Sequence, residues 1–308
     1  ATCRVKGPLG APVEATYGIS GDGHTAIMEM AQASGLTLIA DDERNPLLTN
    51  TYGTGQMIAD ALQRGCDTIL IGIGGSATND GGMGLLNALG VIFLDAEGHQ
   101  LTPGGAALEK IATIDISGMN PLARKAKFLV ICDVDNPLVG PKGSAFVFGP
   151  QKGADTAMCE RLDMGLRNYA RAVEKATGRD VAEMPGAGAA GGLGACFAAF
   201  FDATLDKGIE LVLKIINFKE IIAGANLIIT GEGRLDRQTV MGKTPYGVLK
   251  AGMLQHIPVV AIGGAVTEYR KLIEAGFKAI FPIVPAPCTL AEAMEAANAR
   301  CNVTNTVE

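Results

Sequence analysis

The sequence predicts an α/β protein of two domains built on parallel sheet, and three observations carry that prediction. Short apolar runs alternate with stretches whose apolar residues recur at helical spacing, as expected for strands covered on both faces by helices. Several of these runs open directly into glycines. The 308 residues are 48% hydrophobic and 19% charged, with 41 glycines and no Trp. A chain of that length can bury a large core and favours two domains over one.

The elements follow in order. Val13 to Ile19 and Thr25 to Met30, separated by Ser20-Gly21-Asp22-Gly23, read as a hairpin with its turn residues in place. Glu29 stands between two methionines and faces away from both on strand alternation; it reads equally as a solvated strand residue or as a residue at a domain edge. Met57, Ile58, Ala61 and Leu62 are spaced for the buried stripe of a helix. That helix leads through Arg64-Gly65-Cys66-Asp67 into Ile69 to Ile73, a strand buried on both faces. Gly74 and Gly75 leave the strand by a turn that side chains would obstruct. Ser76, Thr78, Asn79 and Asp80 can each cap the helix that follows, whose exposed N–H groups favour phosphate or carboxylate. Asp80 would repel such an anion, so it reads as a metal ligand or a proton acceptor.

Phe128 to Cys132 is a second buried strand, and it ends in Asp133-Val134-Asp135-Asn136-Pro137. Carboxylates and an amide at a strand's C-terminal end suit Mg²⁺ or a polar substrate; the same residues also suit a simple turn before Pro137. Lys152 is the single cation of the tight loop from Phe148 to Gly153, and a charged helix runs from Asp155 to about Thr177. The small residues from Pro185 to Gly194 permit close backbone approach. Gly186, Gly188 and Gly191 spell GxGxxG there, but no apolar strand precedes them, so the dinucleotide-binding context is missing. Ile209 to Phe218 reads as a helix and Asn226 to Thr230 as a strand. Its end, Gly231-Glu232-Gly233-Arg234-Leu235-Asp236, is followed by Gly242-Lys243-Thr244-Pro245 at the start of a helix. Arg234 or Lys243 suits a transferring phosphoryl group and Glu232 or Asp236 a metal. A P-loop is excluded because no glycine stands where its first one is required. Val259 to Ile262 and Ala279 to Val284 complete the parallel strands.

A net charge of -6 and a pI near 5.2 give no field that would draw nucleic acid, and no basic run anchors a membrane surface. Seven scattered cysteines without CxxC spacing suit reduced thiols, and no zinc pattern is visible. Cys132, framed by apolar residues, reads as core. The first residues lack signal-peptide or transit-peptide composition, and a small-molecule enzyme in the cytoplasm is expected.

Five segments, GIGGSATNDGGMG (72–84), CDVDNPLVG (132–140), FGPQKGA (148–154), PGAGAAGGLGA (185–195) and ITGEGRLDRQTVMGKTP (229–245), stand in the order found in the bacterial glycerate kinases of the first type. The chain strongly resembles that family across essentially its whole length. The resemblance implies ATP-dependent phosphorylation of D-glycerate to 2-phosphoglycerate with Mg²⁺. It also implies a flavodoxin-like α/β domain, here residues 49–90 plus 205–308, with a mixed α/β domain, residues 1–48 plus 91–204, inserted into it and the active site in the cleft between them. Family members begin with a further segment carrying Asp-Ser-Phe/Tyr-Lys and Asp-Gly-Gly-Glu-Gly-Thr motifs. Neither occurs in these residues, and the sequence is expected to be part of a longer chain.

On this reading Asp80 accepts the glycerate hydroxyl proton, and Asp80→Asn is expected to reduce turnover with little effect on the fold. Lys152, Arg234 and Lys243 stabilise phosphates, while Asp133 and Glu232 hold the metal. Gly74, Gly75, Ser76, Thr78, Asn79, Asn136, Gly231 and Gly233 bind substrate or phosphate, the glycines through turn N–H groups. The partners are D-glycerate and ATP, with a homodimer allowed. Two other readings stay open: a nicotinamide-dependent dehydrogenase, and a non-catalytic protein that binds glycerate or nucleotide.

Overall fold

The chain begins with a hairpin that the sequence reading did not separate from the next one. In the computed structural model, which describes residues 1–307, strands β1 (Thr2–Lys6) and β2 (Pro12–Thr16) pair antiparallel around the turn at Gly7–Ala11. The expected hairpin follows as β3 (Gly18–Ile19) and β4 (Thr25–Glu29). Next come β5 (Thr68–Gly72), the small antiparallel pair β6 (Ile92–Leu94) and β7 (Thr113–Asp115), then β8 (Lys127–Ile131) and β9 (Thr204–Asp206). A five-stranded sheet has the order β3-β4-β5-β8-β9, parallel from β4 to β9.

The helices covering this sheet are amphipathic or small-residue segments, as the spacing requires. Met57, Ile58, Ala61 and Leu62 are all buried on the helix Tyr52–Gln63. The helix Thr156–Thr177 is capped by the Asp155 side chain, which accepts from the Met158 amide, and it ends at Gly178 in the left-handed conformation. Phe197 and Phe201, on the helix Ala189–Phe201, pack against Phe128 of β8 with ring centroids 5.6 and 4.4 Å away. One continuous core joins these elements.

Residues from 207 onward form a second compact unit, separate from residues 1–206. Its sheet is β10 (Ile228–Leu235), β11 (Val259–Val266) and β12 (Ala279–Pro282), all parallel and in that order. Its own core gathers Ile228, Leu235, Leu249, Val259, Ala261, Leu272 and Ile280.

This arrangement differs from the division at 49–90 plus 205–308. The strand at 69–73 is grouped with those of the second unit in the picture that the resemblance implies. It lies instead between β4 and β8, where Ile69, Leu70 and Ile71 are buried. The hairpin strand β4 therefore belongs to the main parallel sheet of the first unit. Among the described residues, no helix is long and apolar enough to cross a membrane.

Candidate active site

A cavity of about 1040 Å³ opens at the C-terminal ends of β4, β5 and β8, where ligands bind in open α/β sheets. Glu29 ends β4 and pairs in register with Gly72 at the end of β5. Both residues line the cavity, with Gly74, Gly75 and Ser76 on the loop that leaves β5 and Asp133 just beyond β8. Gly75 makes its turn at φ +73°, a conformation glycine adopts without steric cost. Gln151 and Lys152 enter from the turn after the helix Ser144–Phe148.

The loop below the cavity departs from expectation. Asp80 is fully buried, and its carboxylate accepts from the Thr51 amide at 2.8 Å, the Thr51 hydroxyl at 2.9 Å, the Gly84 amide at 3.0 Å and the Gly82 amide at 3.2 Å. Burial pushes its pKa up against the pull of those four bonds. Asp80 thus fastens residue 51 to the start of the helix Met83–Ala88 and does not line the cavity. The expected anion site at this helix start does not form, because the amides that would make it are spent on Asp80 in a helix of only six residues. Thr78 and Asn79 are also wholly buried and outside the cavity lining. Asn79 accepts from the Ser144 hydroxyl at 3.2 Å, while Thr78 Oγ1 and Asn79 Nδ2 have no hydrogen-bond partner. Asn136 likewise stays outside the lining and donates to the Lys142 carbonyl at 2.8 Å, closing its own loop.

Lys152 is only 1% exposed, yet it contributes to the cavity wall. Its Nζ donates to the Thr78 carbonyl at 2.6 Å. Burial lowers its pKa from 10.5 to about 7, with the charge of Asp80 acting in the opposite direction. The 190–192 turn packs closely against the Thr78 carbonyl. A Cβ at Gly191 would lie 2.0 Å from that oxygen, and Gly191 O accepts from the Gly81 amide at 2.9 Å. Ala190, at φ +52°, is a non-glycine residue in the left-handed region on the cavity wall, a conformation that costs energy and clusters at functional sites. The expected close approach of backbone in the glycine-rich segment is therefore backbone against backbone. No strand leads into Gly186–Gly191, so the dinucleotide fingerprint has no structural counterpart.

In the second unit, β10 continues through Leu235, and Gly231 and Glu232 pair with Ile262 and Gly263 of β11. Gly231 and Gly233 are strand residues, so the expected turn of free amides is absent. At the C-terminal end of the strand an ionic cluster does assemble. Thr239 Oγ1 donates to Glu232 at 2.6 Å, Arg234 lies 3.3 Å from Asp236, and Lys243 lies 4.0 Å from Glu232 and 3.9 Å from Asp236. Lys243 directly precedes the helix Thr244–Leu254.

Gln151 has no individual signal in the sequence, and Glu29 reads there only as a solvated strand residue or a residue at a domain edge. The signal for Glu29 was its place at the end of a strand, and it became readable only once β4 joined the parallel sheet. Among the described residues no group of three or more His, Cys, Asp or Glu is arranged to hold a metal. Isolated carboxylates such as Asp133 fit Mg²⁺, which retains waters and binds through one or two carboxylates plus substrate phosphates.

Comparison with known proteins adds an independent line. The model of the glycerate kinase family matches residues 1–308. A glycerate kinase of Halalkalibacterium halodurans is 52% identical over 293 residues, covering 95% of this chain and 77% of its own length. The glycerate 2-kinase of Escherichia coli K12 is 48% identical over 294 residues, with 95% and 77% covered. A crystal structure assigned to glycerate kinase 2 of Salmonella typhimurium LT2 superposes with a TM-score of 0.87 at 44% identity, covering all of this chain and 82% of the other.

Proposed function

Because this chain belongs to the glycerate kinase family, we propose that it transfers the γ-phosphoryl group of ATP to the C2 hydroxyl of D-glycerate, giving 2-phosphoglycerate. The observation that carries the reading is the family match along the whole chain, joined by 48% identity to a glycerate 2-kinase. The dehydrogenase alternative finds no support in any of these relatives, and the GxGxxG string lacks its strand.

Phosphoryl transfer asks a protein to align two anions and to neutralise developing charge. The cavity suits a small hydroxy acid: it combines a cation, Lys152, with the Gly74–Gly75 turn and the carboxylates Glu29 and Asp133. With Asp80 sealed away, Glu29 is the carboxylate we assign to receive the hydroxyl proton. Arg234 and Lys243 are the cations assigned to the nucleotide phosphates, oriented by Glu232 and Asp236. Asp133 of the first unit and Glu232 of the second are each assigned as a carboxylate for Mg²⁺, taken separately; the ion when bound would neutralise phosphate oxygens.

The test is to identify the product. Phosphorus and carbon NMR of a reaction with ATP, Mg²⁺ and D-glycerate should give the phosphorus coupling at C2. Coupling at C3 would refute the regiochemistry, and no phosphoglycerate would refute the function.

A further inference from the structure

Lys152 has a setting that a simple phosphate-neutralising cation does not need. The residue is buried yet contributes to the cavity wall, and the hydrogen-bond partner of its amine is a backbone carbonyl. That carbonyl lies against Gly191, where a Cβ would come within 2.0 Å of it. Among the described residues no carboxylate forms an ion pair with it, and a buried charge without a counter-charge tends to be released as a proton. The charged and titratable groups around it come from several elements. Asp80 acts from the loop beneath and is already held by four donors. Glu29, Cys132 and Asp133 stand on the cavity wall, Arg44 lies behind Gly153, and Asp155 caps the next helix.

We infer that Lys152 is the receptor for the substrate's carboxylate, and that its amine takes up a proton from solvent as that carboxylate binds. The inference rests on the kinase reading above. No covalent bond is made or broken; the nitrogen lone pair accepts the proton, and the carboxylate becomes the missing counter-charge. A triphosphate is a poorer match for one buried cation, because it carries several charges and brings its own divalent cation and water.

Isothermal calorimetry tests this on the wild-type protein saturated with a non-hydrolysable ATP analogue and Mg²⁺. D-Glycerate is titrated at pH 6 and pH 8, in buffers of low and high ionisation enthalpy. With the free amine titrating near 7 and the bound one held protonated by the carboxylate, uptake should be close to zero at pH 6 and most of one proton at pH 8. The dissociation constant should rise about tenfold over the same interval. Glycerol, which keeps the hydroxyls and lacks the carboxylate, should give no buffer-dependent heat. Lys152→Met should weaken glycerate binding and abolish the uptake.

Equal enthalpies in both buffers at pH 8 would overturn the inference, as would the absence of glycerate binding. Proton uptake on addition of the nucleotide analogue instead of glycerate would also overturn it. ADP formation separates the two claims. Its absence with glycerate defeats the kinase reading, whereas turnover with equal enthalpies defeats only the assignment to Lys152.

Discussion

Replacing Lys152 by Met should make the first unit more stable, and more so at low pH. In the unfolded chain the lysine holds its proton up to about 10.5, whereas in the folded chain it releases it near 7. Between those values the unfolded state binds more protons, so stability rises with pH across the window. Below pH 7 the folded protein carries the full cost of a buried ammonium. The fall from 10.5 to about 7, at 1.36 kcal/mol per unit, makes that cost about 5 kcal/mol. Methionine of similar length removes the charge and keeps the packing, at the loss of one hydrogen bond worth about 1 kcal/mol. Urea unfolding of wild type and Lys152→Met at pH 6 and pH 8, read by circular dichroism, measures the difference. The stabilisation of the variant should shrink by about 1 kcal/mol between pH 6 and pH 8, as the wild-type amine sheds its proton. Taking the difference between the two proteins cancels the raised cysteine thiols, which both share. A gain identical at both pH values, or a variant less stable than wild type at pH 6, would refute the reasoning.

Other substitutions follow from the same geometry. Asp80→Asn removes an oxygen acceptor from a carboxylate with four donors and should cost about 2–4 kcal/mol in denaturant unfolding; unchanged stability would mean that the carboxylate does not hold the loop. Gly191→Ala places a Cβ 2.0 Å from the Thr78 carbonyl at φ +73° and should cost more than about 3 kcal/mol, with a normal melting profile counting against the drawn-in 190–192 turn. Thr239→Val deletes the hydroxyl that donates to Glu232 at 2.6 Å and should lower the stability of the second unit by roughly 1 kcal/mol. Calorimetric scanning of that variant should leave the first unit's transition in place; a shift of both transitions would contradict the independence of the two cores.

The sequence made the local elements readable and their pairing much less so. Ile69 to Ile73 could be read as a doubly buried strand from its lack of polar residues, and Met57 to Leu62 as a helix from its spacing. Neither observation says which strands lie beside β5. Parallel neighbours are joined through long crossovers, so two sheets of similar strands leave similar patterns in a sequence. The site divides in the same way. Gly74, Gly75, Ser76 and Asp133 line the cavity because they follow strand ends, and strand ends are legible; Lys152 reaches it from the turn after a helix, where its being the loop's single cation is the signal. Asp80 misled because a carboxylate after a glycine-rich turn has the same composition whether it faces substrate or bonds to four neighbouring donors. Only the fold brings Thr51 to it. Gly231 and Gly233 misled because glycines within a strand resemble glycines that end one.

The most direct test of the account is ADP formation by the purified protein with ATP and Mg²⁺, measured with and without D-glycerate by a coupled assay. The account predicts turnover that depends on D-glycerate and that Lys152→Met reduces by orders of magnitude. Binding of D-glycerate without any ADP release would contradict it, leaving the non-catalytic reading in its place.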